Sequence, residues 1–241
     1  MKKVLLLLMS TCAVCTDAGA QTLWKQNDRI LNFGIKPGIH SVIPFGVQIM
    51  QDGVKANSLR PINGTGRAVE LLMRINVARM FVQPAIAWKY SSMETRFSSS
   101  TKPALHAPGE QSAAPQQEQS LSMQFVSIET PVVVGFYIIK ENPYAFSIMS
   151  GVNTKFDYAA RFTANSAGIS NLQRVTPRYD LSIYSALEVM IGKLIFDFGY
   201  EYGLNRPLYD MNMSMQGLPY PVTVQVRQRV RNLSMSVGLL F

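Results

Sequence analysis

Along much of this chain every second side chain is large and apolar, and the side chains between are small or polar. Residues 229–241 show the rule plainly: Leu233, Met235, Val237, Leu239 and Phe241 alternate with Asn232, Ser234, Ser236 and Gly238. Period-2 alternation of this kind predicts a strand with one oily face and one wet face. Seven earlier stretches repeat it, over 31–40, 67–78, 81–90, 123–139, 144–153, 181–191 and 194–203. The cleanest sets Leu194, Phe196, Phe198, Tyr200 and Tyr202 against Ile195, Asp197, Gly199, Glu201 and Gly203.

Most of these stretches are close to the ten or so residues that a tilted strand needs to cross a bilayer. Their connections alternate in length. Residues 41–65, 91–120, 154–180 and 204–225 read as long loops rich in Pro, Gly, Ser and Asn; Val42–Met50 could extend the first hairpin, and 91–120 is low in complexity. Arg79-Met80, Lys140 to Pro143 and Gly192-Lys193 read as tight turns. Outer-membrane barrels sort their connections this way, with short periplasmic turns and long external loops. A soluble sandwich has no reason to do so. The expected fold is all-β: an eight-stranded antiparallel up-and-down transmembrane β-barrel over 31–241, behind a periplasmic lead-in over 21–30. Its last strand pairs with its first, because an open edge cannot stand in lipid.

The wet faces then line a lumen. They carry Lys36, Glu70, Arg74, Lys89, Glu129, Glu188, Asp197 and Glu201, a mixture of both signs. Eight strands leave an interior that side chains just fill, and an unpaired buried charge is strongly destabilising. These eight are therefore expected to form a charge network that plugs the lumen, with a proton or solute path as the alternative. Trp88, Tyr90, Tyr144, Tyr200 and Tyr202, near strand ends, have the chemistry of an aromatic girdle.

Composition changes the picture mainly at the N-terminus. Lys2 and Lys3, a short apolar run and Ala18-Gly19-Ala20 make a signal peptide over 1–20, cut before Gln21 and too short to span a membrane. Cys12 and Cys15 leave with it, so disulfide and thiol chemistry are not expected in the mature chain. No later stretch is apolar for the length of a transmembrane helix. A formal charge of +8 on an exported protein favours anionic lipopolysaccharide over nucleic acid as a partner. Arg227, Arg229 and Arg231 alternate at the expected external end of the last strand, where they face lipopolysaccharide phosphates or simply water.

Chemistry is sparse. His40, at the expected outer end of the first strand, and His106, in the low-complexity loop, are the only histidines. Both read as solvated, with no carboxylate cluster or serine spacing beside them. No catalytic residue, metal or cofactor is expected. The favoured role is structural or interactive, with mobile loops offered to another envelope protein or a surface ligand. The alternatives are a lipid-modifying enzyme or narrow pore on the same scaffold, and a soluble periplasmic lipid-binding barrel with the oily face inside.

Three segments carry a family resemblance: Asn32-Phe-Gly-Ile-Lys-Pro-Gly-Ile39, Ser127-Ile-Glu-Thr-Pro-Val-Val-Val134 and Tyr200-Glu-Tyr-Gly-Leu-Asn205. Together they resemble the PorT-type family of bacterial outer-membrane β-barrels. Thr130 before Pro131 departs from that family's pattern. The resemblance implies the barrel fold, outer-membrane lipids and the barrel-assembly machinery as partners, and Phe241 as the residue recognised for insertion. It implies no activity.

Overall fold

The computed structural model describes residues 29–51, 54–55, 57–98, 118–165, 178–213 and 222–241. These form β1 (Leu31–Gln51), β2 (Val54–Lys55), β3 (Asn57–Val77), β4 (Met80–Ser98), β5 (Glu118–Glu141), β6 (Tyr144–Asn165), β7 (Arg178–Ile191), β8 (Leu194–Gly203), β9 (Leu208–Met213) and β10 (Val222–Leu240). The two-residue β2 continues the line of β3 beside β1, and β9 continues that of β8 beside β10. The wall therefore has eight antiparallel staves, each paired with its neighbour in sequence, and β1 closes the ring on β10 from Gly34↔Leu240 to Gln51↔Val224. Phe241 continues that seam: its N–H donates to the Phe33 carbonyl at 2.8 Å and its carbonyl accepts from the Phe33 N–H at 2.9 Å.

The register sets the strand tilt. Stepping from Ile39 through Met235, Phe198, Leu187, Ile148 and Phe136 arrives on β4 at Met80. Stepping the other way, through Arg67, arrives at Tyr90. The ring thus slips by ten residues, from position 80 to 90, as one circles it. For eight strands this means a tilt of about 40° and a narrow interior.

On the outer wall a belt of exposed apolar side chains runs through every stave, including Phe33, Leu71, Ile86, Val132, Ile148, Leu187, Phe198 and Met235. On β4 it extends from Val82 to Tyr90 and on β10 from Leu233 to Phe241, which matches the roughly 9–11 residues of a membrane-crossing strand. Beyond the belt the polarity of the two faces inverts. Ser92, Glu94 and Arg96 on β4 and Ser122 and Gln124 on β5 face outward, while Met93, Leu121, Met123 and Phe125 turn inward and are buried. Val42, Ile49 and Val226 join that upper core.

The strands are longer than their oily faces predict. β1 runs on through 41–51, β4 through 91–98, β6 through 154–165, and β3 begins at Asn57, so much of what reads as loop in 41–65, 91–120 and 154–180 is strand. The 204–225 stretch likewise contains β9 and the start of β10. The rest of those loops, His106 and the expected signal peptide lie outside the described residues. The short turns lie where expected, at 78–79, 142–143 and 192–193. Among the described residues the ring is complete only up to Asp157↔Arg178. Above that, β6 pairs with β5 alone and β9 with β10 alone.

Candidate functional site: the charged lumen

Strand periodicity brings the polar positions of all eight staves into one enclosed space, and its charges fall into three clusters. Nearest the short turns, Arg74 of β3 makes a two-pronged ion pair with Glu188 of β7, with Nη1 2.8 Å from Oε1. Its Nε donates to Gln83 Oε1 at 2.9 Å, and its guanidinium lies 4.2 Å from the centre of the Phe81 ring. Tyr137 stacks beside Phe81, and Ser147 Oγ donates to Glu188 at 3.3 Å. Leu72, Ala145, Met149, Met190, Ile195 and Leu240 pack around this pair and exclude water from that end.

In the middle, the Lys36 Nζ lies 2.6 Å from Asp197 Oδ2 and 3.0 Å from Glu70 Oε1. The Tyr184 hydroxyl donates to the Asp197 carboxylate at 3.3 Å. In the uppermost cluster the Lys89 Nζ bridges Glu129 at 3.1 Å and Glu201 at 2.9 Å. Asn153 Nδ2 donates to both carboxylates, at 2.8 and 2.9 Å. Ser182 Oγ and Asn232 Nδ2 complete the shell of Glu201 at 2.6 and 2.7 Å. The eight charged residues named from the strand pattern thus all enter one interior, three cations among five carboxylates.

His40 departs from expectation. It is not solvated at a strand end but is buried at 5 % exposure, with Nε2 2.9 Å from Ser91 Oγ. Gly66 makes room for it, since a Cβ there would lie 2.2 Å from the imidazole. The pair has no carboxylate hydrogen-bonded to the other ring nitrogen, as Nδ1 is buried and unpartnered. Lys155 and Asp157, which fall in a stretch read as loop, face inward on β6 and pair at 3.2 Å. The charges also recruit the neutral partners Gln83, Asn153, Ser182, Tyr184 and Asn232. Their only signal is an inward place in the same alternation.

Above the uppermost charges the upper core closes the interior. Ile49, Leu121, Met123 and Val226 are fully buried, Phe125 and Val42 nearly so, and the one amide among them, Gln228, donates to Met93 Sδ at 3.2 Å. The polar layer between the two apolar ends holds cavities of about 70 and about 50 Å³, room for a handful of waters. Among the described residues no three His, Cys, Asp or Glu side chains gather as a metal site.

Residues 20–208 match the family described as outer membrane protein beta-barrel domain. No curated protein matches. Among solved structures, the outer membrane protein OprG of Pseudomonas aeruginosa overlays with a TM-score of 0.54 at 13% identity, over 90% of this chain and 99% of that one. Ail, the attachment invasion locus protein of Yersinia pestis, gives 0.34 at 15% identity over 88% and 100%. Neisserial surface protein A gives 0.37 at 9% over 83% and 95%. Of these three, the overlay on OprG supports the fold.

Proposed function

This chain belongs to the outer membrane protein beta-barrel family, and on that premise we propose a non-conducting, non-enzymatic barrel that works through its outer surfaces. The observation that carries this reading is the interior itself. Lys36, Arg74 and Lys89 are neutralised by carboxylates on other strands, Lys155 pairs with Asp157 on its own, and apolar side chains pack against both ends of the charged layer. A permeation path would need mobile charges and continuous water; the buried pairs here offer neither. The His40–Ser91 pair is buried and lacks the third group that would orient the imidazole as a base, since Nδ1 has no hydrogen-bond partner. What remains for function is the outer wall, the strand extensions above the belt and the loops between them. Within the family we place the chain with the PorT-type barrels on the three motif segments. We read 1–20 as a cleaved export signal and Phe241, seated on Phe33 at the seam, as the residue met by the assembly machinery.

The test is conductance. Protein purified from outer membranes and reconstituted in planar bilayers should add no current above the lipid background; steady single-channel steps would end the reading. Cross-linking in intact cells, followed by mass spectrometry, should recover a discrete envelope partner joined through residues above the belt.

A further inference from the structure

Outside the lumen, cations are treated differently. Arg227, Arg229 and Arg231 alternate on the outward face of β10, and Arg231 is the next outward residue above Leu233 and the apolar belt. Among the described residues none of the three lies within ion-pair distance of a carboxylate. Yet two of them are not loose in water. The Arg231 guanidinium sits 4.1 Å from the centre of the Phe45 ring and 5.6 Å from that of Tyr202, rings that are themselves 5.6 Å apart. Arg229 Nη1 donates to the Tyr202 hydroxyl at 3.5 Å. The Nε of both arginines is shielded from solvent without an acceptor. Three strands are used to build this seat: Tyr202 of β8 lies opposite Arg231, and Phe45 of β1 opposite Arg229. Gly46 follows Phe45 with a left-handed φ of 59° at a register shift, a backbone turn that glycine makes without a Cβ clash.

The height of the seat is set by independent observations. The polarity of the faces inverts between Tyr90 and Met93 on β4, and on β10 between Asn232, inward and polar, and Val226, inward and apolar. Arg67 stands opposite Tyr90 at this same boundary, 5.6 Å from its ring. That is where headgroups meet water, on the side of the long connections. Guanidiniums held against aromatic rings at a headgroup boundary, with no carboxylate beside them, call for an anion with several oxygens.

We propose that Arg229 and Arg231, seated on Phe45 and Tyr202, bind the phosphate of a lipopolysaccharide headgroup in the outer leaflet. Two neighbouring guanidiniums match a phosphate monoester, which carries about −1.5 to −2 charge, better than the single charge of a phosphodiester lipid. The site rests on the reading that the belt faces lipid. Native mass spectrometry of the full protein in detergent tests it, with four probes: diphosphoryl lipid A, dephosphorylated lipid A, phosphatidylglycerol and inorganic phosphate. Diphosphoryl lipid A should bind tightest. The double variant R229Q/R231Q should bind it at least about tenfold more weakly, since each charged hydrogen bond lost is worth about one factor of ten. R229K/R231K should fall between, and R96Q, at a separate place on the wall, should bind like the parent. Unchanged binding by R229Q/R231Q in protein that still shows heat-modifiable migration overturns the site. So does equal binding of the dephosphorylated lipid or of phosphatidylglycerol, or full displacement by inorganic phosphate at equal concentration. A parent protein that fails to insert into lipid at all sinks the membrane reading, and the site with it.

Discussion

The lower and upper halves of the same strands are built on opposite plans. Below Tyr90 on β4, Val82, Ile86 and Trp88 face out while Gln83 and Lys89 face in; above it, Glu94 and Arg96 face out while Met93 faces in. β5 repeats the inversion, with Ile128 and Val132 outside and Glu129 inside, then Gln124 outside and Phe125 inside. The hydrogen-bonded wall is continuous through the change. What differs is the solvent beyond it. Against hydrocarbon the oily positions must face out and the polar ones must satisfy one another inside. Against water the ordinary rule returns, and the barrel buries an apolar core. One backbone serves two solvents, and the level of the inversion records where they meet.

The largest effect should come from breaking the lower plan from within. Removing the Arg74 cation in R74M leaves Glu188 buried without a counter-charge, and should cost about 3–5 kcal/mol, read as a lower urea midpoint in lipid vesicles by tryptophan fluorescence. R74M/E188L should recover most of that loss; a double variant no better than the single would mean that packing, not charge, is at stake. The outer wall gives the sharpest contrast. A lysine in the middle of the belt, V132K, should cost about 2–4 kcal/mol, whereas Q124K on the same strand above the inversion should stay within about 0.5 kcal/mol. Equal effects would erase the boundary drawn here. Among the ion pairs the smallest effect is that of E94Q, which removes the exposed pair with Arg96 at 3.1 Å. It should shift the midpoint by no more than about 0.2–1 kcal/mol, far less than any interior pair.

The inversion also explains what could be read from sequence. β8 is recovered at its full extent, 194–203, because it lies wholly within the belt and keeps one phase throughout. β4 is cut short at Tyr90, since past it the apolar residues move to the other face and the single oily row ends. On β1 the bulge at Gly46 breaks the phase a second time. The eight lumen charges stood out because, in a strand with an oily outer face, a charge has only one place to go. Their pairing did not. That Lys36 meets Asp197 across 161 positions, and Lys89 meets Glu201, follows from the ten-residue slip of the ring, which no local pattern encodes. Asn153 and Ser182 are ordinary polar-face residues at strand ends until the register sets them beside Glu129 and Glu201.

The seam between β1 and β10 has a consequence in time. Gly34 pairs with Leu240 and Phe33 with Phe241, so nearly the whole chain lies between the two sides of the closure. Hairpins along the wall can form from neighbours, but the ring cannot shut until both distant edges are present together. Contacts of such long range form slowly, and until they do, two unpaired strand edges and the entire oily belt are open to association with other chains. Passage through an aqueous compartment before closure is therefore the hazardous stage in the life of this molecule, and a bilayer that removes water from the belt as the seam zips is what makes the finished cylinder safe.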